Sequence, residues 1–374
     1  MPEEVNRYLR IIEVAPRFPP CTGGIETHVY LLSRMLRQSG FDVEVFTTDS
    51  SARTILRDSV GGIPVTRFPS IAPYDTGYYS RSMAKALRKV KADLVHAHGY
   101  QSLPMLSAAL AKRHNKSHLV VTTHLGVSKL GRLPYVLYNP IFGRMIFDKA
   151  DKILLVSREE LDRLPVLARH SRKVEVIPNG IEIPDESFDD AFGRKHMDTF
   201  RLLSVGRLEK KKGVETAIKV LTHLPEENIT LDIVGVGGYA DHLSEFAKKL
   251  NLAERVHFHG RLESDALRGL YQESHVLLLL SEWESFGISI IEAMSAGVVP
   301  IATRVGGIPS VIGDNAGYLV DYPVDENHVA EIVRHLYAEP RTQRDLASKG
   351  WTKVREDYDM RRLYSRIAGV YQGI

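Results

Sequence analysis

The 374-residue chain has a single cysteine, Cys21, so it cannot form an internal disulfide. A chain without disulfides is typical of a reducing compartment, and we expect a cytoplasmic protein. Residues 1–7 carry two acids and no apolar core, which argues against a secretory signal. The longest apolar run, Val276–Leu280, is far shorter than the roughly 20 residues that a membrane-spanning helix needs.

The chain also lacks an excess of charge of either sign. Its formal net charge is only +3, although 25% of its residues are charged. So mild a balance gives no support for a nucleic-acid partner. A 44% hydrophobic composition is typical of a globular protein, and 374 residues exceed what one core usually supports, which predicts two domains.

Short apolar runs alternate with helical patterns along the whole chain, which predicts parallel sheets wrapped by helices. In the first half we predict strands at Leu9–Val14, Asp42–Thr47, Leu94–His98, Leu119–Thr123 and Lys152–Val156. The predicted helices between them are Gly24–Ser39, Ser80–Val90, Leu103–Arg113 and Tyr138–Asp148. In the second half we predict strands at Phe200–Val205, Thr230–Val234, Val256–Gly260, Val276–Leu280 and Val299–Ala302.

The alternation stops at a polar stretch, and we place the domain boundary near residues 178–199. We therefore expect an N-terminal domain of residues 1–178 and a C-terminal domain of residues 179–354. Trp351–Ile374 has a helical pattern, and we expect residues 355–374 to complete the first domain.

Two carboxylates, Glu284 and Glu292, stand eight residues apart in the most informative segment of the chain. If most of that step is helical, a rise of 1.5 Å per residue separates them by about 12 Å, which suits a nucleotide sugar. Gly287 between them would begin the helix, whose free N–H groups can hold a diphosphate. Two acids with this spacing also occur on ordinary solvated helix faces.

A cationic loop, Gly206–Gly213, follows the first strand of the second half. Arg207 lies at the strand end and Lys212 just before a helix, where two cations can flank a diphosphate. Lys210 and Lys211 are interpreted as solvated, as charge runs usually are.

Two glycine-rich loops follow predicted strands. Gly23 and Gly24 permit a close backbone approach, but the loop is not G-x-G-x-x-G and does not indicate a nicotinamide site. In the loop 235–238, Gly237 either lets a base or ribose approach or belongs to a plain tight turn. Arg261, after a strand that ends in histidines, is a weaker donor-binding candidate.

Three histidines fall at the carboxyl ends of strands, the edge at which open α/β sheets bind ligands: His96, His98 and His124. A zinc cluster is the alternative, but neither cysteines nor a His-Glu-x-x-His pattern support it. We interpret His124 as a partner of a sugar hydroxyl or a backbone carbonyl.

The only Asp-x-Asp sequence, Asp357-Tyr-Asp359, lies in the polar C-terminal region, away from any strand end. We treat it as chance and expect no metal. The diphosphate would then be neutralised by Arg207, Lys212 and a helix N-terminus.

Two segments carry basic residues beside apolar ones, Ser80–Lys91 and Ser128–Lys149. The second contains Lys129, Arg132 and Arg144. Ordinary packing with a solvated basic edge is the preferred interpretation, and peripheral contact with an anionic membrane is the alternative.

Taken together, these segments resemble the glycosyltransferase family 4 enzymes, which are retaining transferases of the GT-B architecture. The resemblance covers nearly the whole chain in the right order. It rests on the Gly23-Gly24 loop, His124, V-I-P-N-G-I, G-R-L-x-x-K-K-G, the two glutamates eight residues apart and G-V-V-P-I-A-T-R-V-G-G-I-P.

The resemblance implies an α/β fold of two Rossmann-like domains that face each other across a cleft. Carried over to this sequence, it assigns the donor diphosphate to Arg207 and Lys212, the hexose to Glu284 and the ribose hydroxyls to Glu292. It also assigns the backbone N–H groups of Phe286, Gly287 and Ile288 to the sugar and the phosphate. Gly24 would approach the diphosphate, and His124 would contact the sugar near C6. Ser310 departs from the glutamate that the family often has, which affects local packing.

The resulting hypothesis is a retaining hexosyltransferase that uses a UDP- or GDP-sugar, with no metal and no nucleic-acid partner. The acceptor hydroxyl would belong to a glycan, a lipid-linked sugar or a small molecule. The alternatives are a nucleotide-sugar 2-epimerase of similar fold and a non-catalytic nucleotide-sugar-binding protein.

Overall fold

The computed structural model describes residues 9–21, 23–71, 78–125, 139–195, 198–226 and 228–374. The chain divides into two compact units: residues 1–180 together with 360–374, and residues 181–359. Each unit contains one sheet of mainly parallel strands with helices around it. The predicted α/β fold with two Rossmann-like domains is therefore confirmed.

The first unit contains an eight-stranded sheet in the order β3-β4-β2-β1-β5-β6-β7-β8. Its strands are β1 Arg10–Ala15, β2 Asp42–Asp49, β3 Leu56–Val60, β4 Ile63–Pro69, β5 Leu94–His98, β6 His118–Thr122, β7 Lys152–Leu155 and β8 Val174–Val176. Neighbouring strands are parallel except in the β3–β4 hairpin. Consecutive residues Ile11 and Ile12 of β1 are both fully buried because helices cover both faces of the sheet.

Within the described residues, the α-helices of the first unit are Gly24–Gln38, Arg81–Lys89, Leu103–Asn115, Arg144–Lys149, Glu159–Arg163 and Met360–Gln372, with a π-helical turn at Asn139–Gly143 and a 3₁₀ segment at Pro165–Lys173. The C-terminal helix joins this unit through one apolar stripe. Met360, Leu363, Ile367 and Tyr371 recur every three or four residues and pack in one core cluster with Ile11 of β1.

The second unit contains a six-stranded parallel sheet in the order β11-β10-β9-β12-β13-β14. Its strands are β9 Phe200–Val205, β10 Ile229–Val234, β11 Val256–Gly260, β12 Val276–Leu279, β13 Val299–Thr303 and β14 Tyr318–Val320. Numbered from one within the unit, this order is 3-2-1-4-5-6, the order of dinucleotide-binding Rossmann folds. Its switch point, where successive crossovers turn to opposite sides, lies between β9 and β12.

The α-helices of the second unit are Phe188–Phe192, Val214–Thr222, Ala240–Lys249, Ser264–Glu273, Ile288–Ser295, Ile308–Ile312, Glu326–Ala338 and Pro340–Asp357, with a 3₁₀ turn at Lys210–Lys212. The sequence prediction of one helical stretch over Trp351–Ile374 is wrong in detail. The structure has two helices there, separated by Tyr358 and Asp359. Lys129 and Arg132 of the segment Ser128–Lys149 lie outside the described residues.

Candidate active site

The loops at the carboxyl edge of the second sheet are fastened to one another by backbone hydrogen bonds. The N–H of Glu282, after β12, donates to the carbonyl of Lys211 after β9 at 2.9 Å. The N–H of Gly307, after β13, donates to the carbonyl of Glu284 at 3.2 Å. These bonds assemble loops from three strands around the switch point, where α/β sheets of this kind bind their ligands.

Lys212 and Glu284 form an ion pair at this switch point, although they are 72 residues apart in sequence. Their side chains are 16% and 17% exposed, so the pair is largely shielded from water. The next residue, Gly213, has φ +69°, and a Cβ there would lie 2.0 Å from the carbonyl oxygen of Leu280. Glycine is therefore required for the loop of Lys212 to pack against the end of β12.

Arg207 lies in the same loop and is more accessible, with 41% of its side chain exposed. Its guanidinium bonds Glu209 at 2.8 Å, and Lys211 reaches the other oxygen of that carboxylate at 3.2 Å. Lys211 is thus paired, whereas the sequence interpretation made it a solvated cation. Lys210 is exposed, as expected.

The helix Ile288–Ser295 begins at Gly287, which is buried and has φ +88°. No side chain caps its first N–H groups, so this helix start can accept an anion. Phe286 is buried and packs edge-on against Tyr358, with ring centroids 5.6 Å apart. Glu284 precedes the helix and Glu292 lies in it, with the helix start at Gly287 between them as predicted, so only the second half of the eight-residue step is helical.

Glu292 lies one turn into that helix. The hydroxyl of Tyr271 donates to its Oε2 at 2.9 Å. Burial raises the pKa of Glu292 to about 7, and the hydrogen bond from Tyr271 opposes part of that rise. Sequence reasoning missed Tyr271, because an aromatic residue in the preceding helix gives no signal of its own.

Two glycines of this edge have packing reasons for their identity. A Cβ on Gly237 would lie 2.2 Å from the carbonyl oxygen of Leu208, so loop packing alone accounts for this glycine. Gly306 has φ +54°, and its Cβ would lie 1.7 Å from the carbonyl oxygen of Glu284. Gly306, which sequence reasoning did not place in the site, therefore fixes the backbone of Glu284.

Arg261 lies apart from these residues. It is exposed and follows β11, which is the edge strand of the sheet. Because β10 lies between β11 and β9, the structure does not bring Arg261 next to Lys212. In the Asp-x-Asp sequence, Asp357 ends a helix and pairs with Lys353 at 2.7 Å.

In the first unit, Gly23 and Gly24 lie at the start of the helix Gly24–Gln38. An acid already occupies this position: a Cβ on Gly23 would lie 2.3 Å from Oε2 of Glu26. Glu26 in turn pairs with Arg17 at 2.7 Å. A phosphate that approached Gly24, which is exposed, would have to share this helix start with Glu26.

His124 is buried after β6, and its backbone has the left-handed φ of +42°. The carboxylate of Glu160 accepts hydrogen bonds from both neighbours of His124, the hydroxyl of Thr123 and the N–H of Leu125. Burial raises the pKa of Glu160 to about 7, and these hydrogen bonds oppose the rise.

A buried network joins the predicted histidines. Nδ1 of His98 lies 3.2 Å from Nε2 of His124, and Nε2 of His98 lies 2.7 Å from Oε2 of Glu13. His96 bonds the hydroxyls of Tyr371 and Thr122 at 2.6 and 2.7 Å. Burial lowers the pKa of His98 to about 4, so its imidazole is neutral near pH 7.

His28 joins this cluster, with its ring centroid 5.0 Å from that of His124. Among the described residues, two groups have the spacing that could hold a metal ion: His28 with His98 and His124, and Glu13 with His96 and His98. Burial lowers the pKa of His28 to about 3, and neutral imidazoles are the form that metals bind.

Two family models match the chain and together cover most of it. Residues 22–183 match the model described as Glycosyltransferase Family 4, and residues 185–352 match that of Glycosyl transferases group 1. The chain belongs to the family 4 glycosyltransferases. It is a GT-B enzyme that transfers a sugar from a nucleotide-sugar donor, and the predictions of family and of transferase activity are confirmed.

Individual relatives of this glycosyltransferase act on different acceptors. The chain is 28% identical to a phosphatidylinositol N-acetylglucosaminyltransferase subunit of Arabidopsis thaliana, over 85% of this chain and 72% of that protein. It is 25% identical to the N-acetyl-alpha-D-glucosaminyl L-malate synthase of Bacillus anthracis, over 95% of each. Among solved structures, Anabaena HepE with UDP and glucose is similar in fold, with a TM-score of 0.80 and 19% identity over 98% of this chain and 100% of that one.

Proposed function

We propose that this glycosyltransferase moves a hexosyl unit from a UDP- or GDP-hexose to an acceptor hydroxyl, with retention at the anomeric carbon. The observation that carries the proposal is the shielded ion pair of Lys212 and Glu284 at the switch point of the second sheet. The pair brings a cation that can bind phosphate, Lys212, into contact with a carboxylate that can bind sugar hydroxyls, Glu284. Both precede helices at this edge, and the helix after Glu284 begins at Gly287.

The diphosphate is the group that gains charge in the reaction. Lys212, Arg207 and the free N–H groups at Gly287 and Ile288 stabilise it most when that charge is fully developed. In the absence of donor, Glu284 neutralises Lys212. When the donor binds, Lys212 turns to the phosphate and Glu284 accepts hydrogen bonds from the hexose hydroxyls.

The other donor contacts follow the expectations from the sequence. Glu292 accepts hydrogen bonds from the ribose, and His124 contacts the hexose near C6. The backbone of Phe286, together with Gly23, Gly24, Gly237 and Arg261, completes the set of donor-binding candidates. Arg261 has weak support because it follows the edge strand of its sheet. Gly23 and Gly24 also have weak support, because Glu26 lies beside them.

Transfer proceeds at the front face of the sugar. The acceptor oxygen forms a bond to the anomeric carbon while the bond from that carbon to the β-phosphate oxygen breaks. The departing phosphate oxygen takes the proton of the acceptor hydroxyl, so that no protein nucleophile and no metal ion enter the step.

The acceptor is a glycan, a lipid-linked sugar or a small molecule, and the enzyme acts in the cytoplasm. None of the helices in the described ranges has the length and apolarity to span a bilayer. The helix Arg81–Lys89 buries Met83 and Leu87 in the core and exposes Arg81, Lys85 and Arg88. Any contact of this helix with an anionic membrane would therefore be electrostatic and would not insert its apolar side.

Lys212→Ala and Arg207→Ala test the role of the two cations, with Lys210→Ala as the matched control in the same loop. We expect each of the first two variants to lower kcat by about 10²- to 10³-fold, because each removes stabilisation of the leaving group. Lys210→Ala should stay within twofold of wild type. Turnover is measured with the donor that gives the largest thermal shift in a panel of UDP-, GDP- and ADP-sugars. Near-normal turnover in both test variants would refute the proposal.

A further inference from the structure

Hydrogen bonds on both sides of His124 fix the backbone from which its side chain projects. Glu160 accepts a hydrogen bond from the Leu125 N–H at 2.7 Å and another from the Thr123 hydroxyl, on either side of His124. The same carboxylate accepts from the Val156 N–H at 3.2 Å, which ties this loop to the end of β7. The ring of His124 therefore leaves a fixed point of the backbone in the left-handed conformation.

A line of two buried groups, Glu13 and His98, leads to that ring. Oε2 of Glu13 lies 2.7 Å from Nε2 of His98, and Nδ1 of His98 lies 3.2 Å from Nε2 of His124. Glu13 and His98 are fully buried, and Glu13 lies in β1 beside β5, which carries His98. Because these groups are shielded from solvent, water cannot replace the hydrogen bonds between Glu13, His98 and His124.

The protons on this line can be counted. Burial alone would raise the pKa of Glu13, but its interactions with His96 and His98 outweigh burial and lower the pKa to about 2. An ionised carboxylate only accepts hydrogen bonds, so Nε2 of His98 must carry the proton that faces Glu13. Because His98 is neutral, its Nδ1 has no proton and accepts one from Nε2–H of His124.

Burial and the neighbouring histidines also lower the pKa of His124 well below its ordinary value, so this imidazole has one proton. With that proton on Nε2, its Nδ1 has a free lone pair. Within the described part of the chain, Nδ1 of His124 has no hydrogen-bond partner.

We propose that Glu13 and His98 are positioning residues that fix His124 as the Nε2-protonated tautomer, so that its Nδ1 accepts a hydrogen bond from a hydroxyl of the donor hexose. This inference rests on the proposed contact of His124 with the sugar. It makes His124 a hydrogen-bond acceptor toward the substrate. The site therefore selects sugars that have a hydroxyl group at that position, because a hydroxyl can donate its proton to Nδ1. The neutral ring cannot supply a proton to the reaction from Nδ1.

A metal ion on His28, His98 and His124 is the rival account of the same cluster, since ligand atoms of these residues lie within 4.8 Å of one another. The two accounts differ in their protons. An ion would bind the facing nitrogens of His98 and His124, and would leave the proton of His124 on Nδ1.

Long-range proton–nitrogen NMR of the full chain labelled with ¹⁵N-histidine reads the tautomers without donor. The His124 signals are assigned by their loss in His124→Gln. We expect Nε2 of His124 to be protonated and Nδ1 to be unprotonated, in the presence of a chelator and without it. A proton on Nδ1 in wild type, or a change of tautomer on chelation, would overturn the inference.

Glu13→Gln removes the charge that fixes the line while keeping its shape, and we expect a mixture of His124 tautomers in this variant. Thr122→Val is the matched control, because it removes a buried hydrogen bond to His96 and leaves the hydrogen bonds of Glu13, His98 and His124 in place. The control should keep the wild-type tautomer. If Glu13→Gln does not fold, as far-UV circular dichroism would show, His98→Gln tests the same point because it removes the acceptor that faces His124. An unchanged tautomer in whichever variant folds would contradict the proposal.

Kinetics connect the line to the sugar. A nucleotide 6-deoxyhexose lacks the C6 hydroxyl, and we expect it to lower kcat/KM of wild type by at least tenfold relative to the hexose donor. In Glu13→Gln, or His98→Gln in its place, that ratio should shrink several-fold, and in Thr122→Val it should not. An equal ratio in wild type and the test variant would sink the inference. A wild type indifferent to the deoxy donor would instead refute the proposed contact of His124, and the NMR result would still show whether the tautomer is fixed.

Discussion

At the scale of single residues, Glu292 has an acid–base property by which its proposed contact with the donor ribose can be tested. Its carboxylate accepts one hydrogen bond, from Tyr271, and burial raises its pKa to about 7. An ionised carboxylate accepts hydrogen bonds from two ribose hydroxyls more strongly than a neutral carboxyl does, because charge-assisted hydrogen bonds are stronger. With the proposed ribose contact, donor binding therefore competes with protonation of Glu292 near neutral pH.

We expect the Kd of UDP or GDP, whichever binds, to rise by about tenfold between pH 8 and pH 6, since one proton must leave Glu292. Isothermal titration calorimetry at pH 6, 7 and 8 measures this. Glu292→Gln should bind more weakly at pH 8 and lose most of the dependence. It retains the part due to the nucleotide phosphate, which itself titrates near pH 6.

Tyr271→Phe tests the sign of this pH effect. The bond from Tyr271 favours the charged carboxylate, so its loss raises the pKa of Glu292 further and moves the midpoint of the binding curve to higher pH. The same pH slope in wild type and in Glu292→Gln would show that Glu292 does not titrate with binding.

At the scale of elements, loop packing holds the site in place at its glycines. Gly213 has a left-handed backbone conformation, and a Cβ there would lie 2.0 Å from the carbonyl oxygen of Leu280, just after β12. Gly213→Ala should therefore push the loop of Lys212 away from Glu284, lower stability by about 1–3 kcal/mol and reduce turnover at least tenfold. Thermal melts and steady-state rates measure both effects.

Gly269 provides a matched control with the opposite sign. It lies inside the helix Ser264–Glu273, and a Cβ there would meet nothing within 4 Å apart from its chain neighbours and the backbone of its own helix. Gly269→Ala should stabilise the protein by about 0.5–1 kcal/mol and leave turnover unchanged. If both alanines had the same small effect, the argument from loop packing would be wrong.

The sequence located most of the strands that are buried on both faces, because their apolar runs are continuous. Predicted and observed bounds agree for Leu94–His98 and Phe200–Val205, and also for the mostly exposed edge strand Val256–Gly260. It missed β4, a mostly buried strand whose apolar residues are interrupted by Thr66 and Arg67, and β3, whose residues are mostly exposed. It also missed β8 and β14, which have three residues each. Short or solvated edge strands have no apolar run to recognise.

The same limit applies to the candidate site. Arg207, Lys212 and Glu284 could be predicted because charged residues after strands gather at one edge of a parallel sheet. Their pairing could not, because contact between Lys212 and Glu284 depends on β12 lying next to β9. The roles of Glu160 and Glu13 were hidden for a similar reason: Glu160 acquires its partners on both sides of His124, and Glu13 acquires His98, only because neighbouring strands lie side by side.

At the scale of the whole molecule, the two units differ in their buried titratable groups. The first unit buries His28, His98 and His124 as neutral rings, with pKa values of about 3 and about 4 for the first two and well below 6.5 for the third. The stabilisation that these neutral histidines contribute is fully present above pH 6.5. It is lost as the pH falls, because the histidines of the unfolded chain bind protons while the buried ones do not. Glu160 acts in the opposite direction, since burial raises its pKa from 4.5 to about 7.

The second unit carries the raised carboxyl of Glu292, whose contribution is present below pH 4.5 and is lost as the pH rises through about 7. Between pH 6.5 and 5, acidification should therefore destabilise the first unit, where three imidazoles outweigh one carboxyl, and should spare or stabilise the second. Both tryptophans, Trp283 and Trp351, lie in the second unit. Tryptophan fluorescence accordingly follows that unit, while far-UV circular dichroism follows both.

Thermal unfolding recorded with both probes at pH 7, 6 and 5 separates the two responses. We expect the circular dichroism signal to develop an earlier transition on acidification, with a lower Tm at each step, while the fluorescence transition keeps its Tm or rises. His28→Leu removes one buried imidazole, whose nitrogens have no hydrogen-bond partner within the described chain, and should make the pH dependence of the early transition shallower. Coincident transitions that shift downward together in wild type, or an unchanged slope in His28→Leu, would show that the buried histidines do not set the acid stability of the first unit.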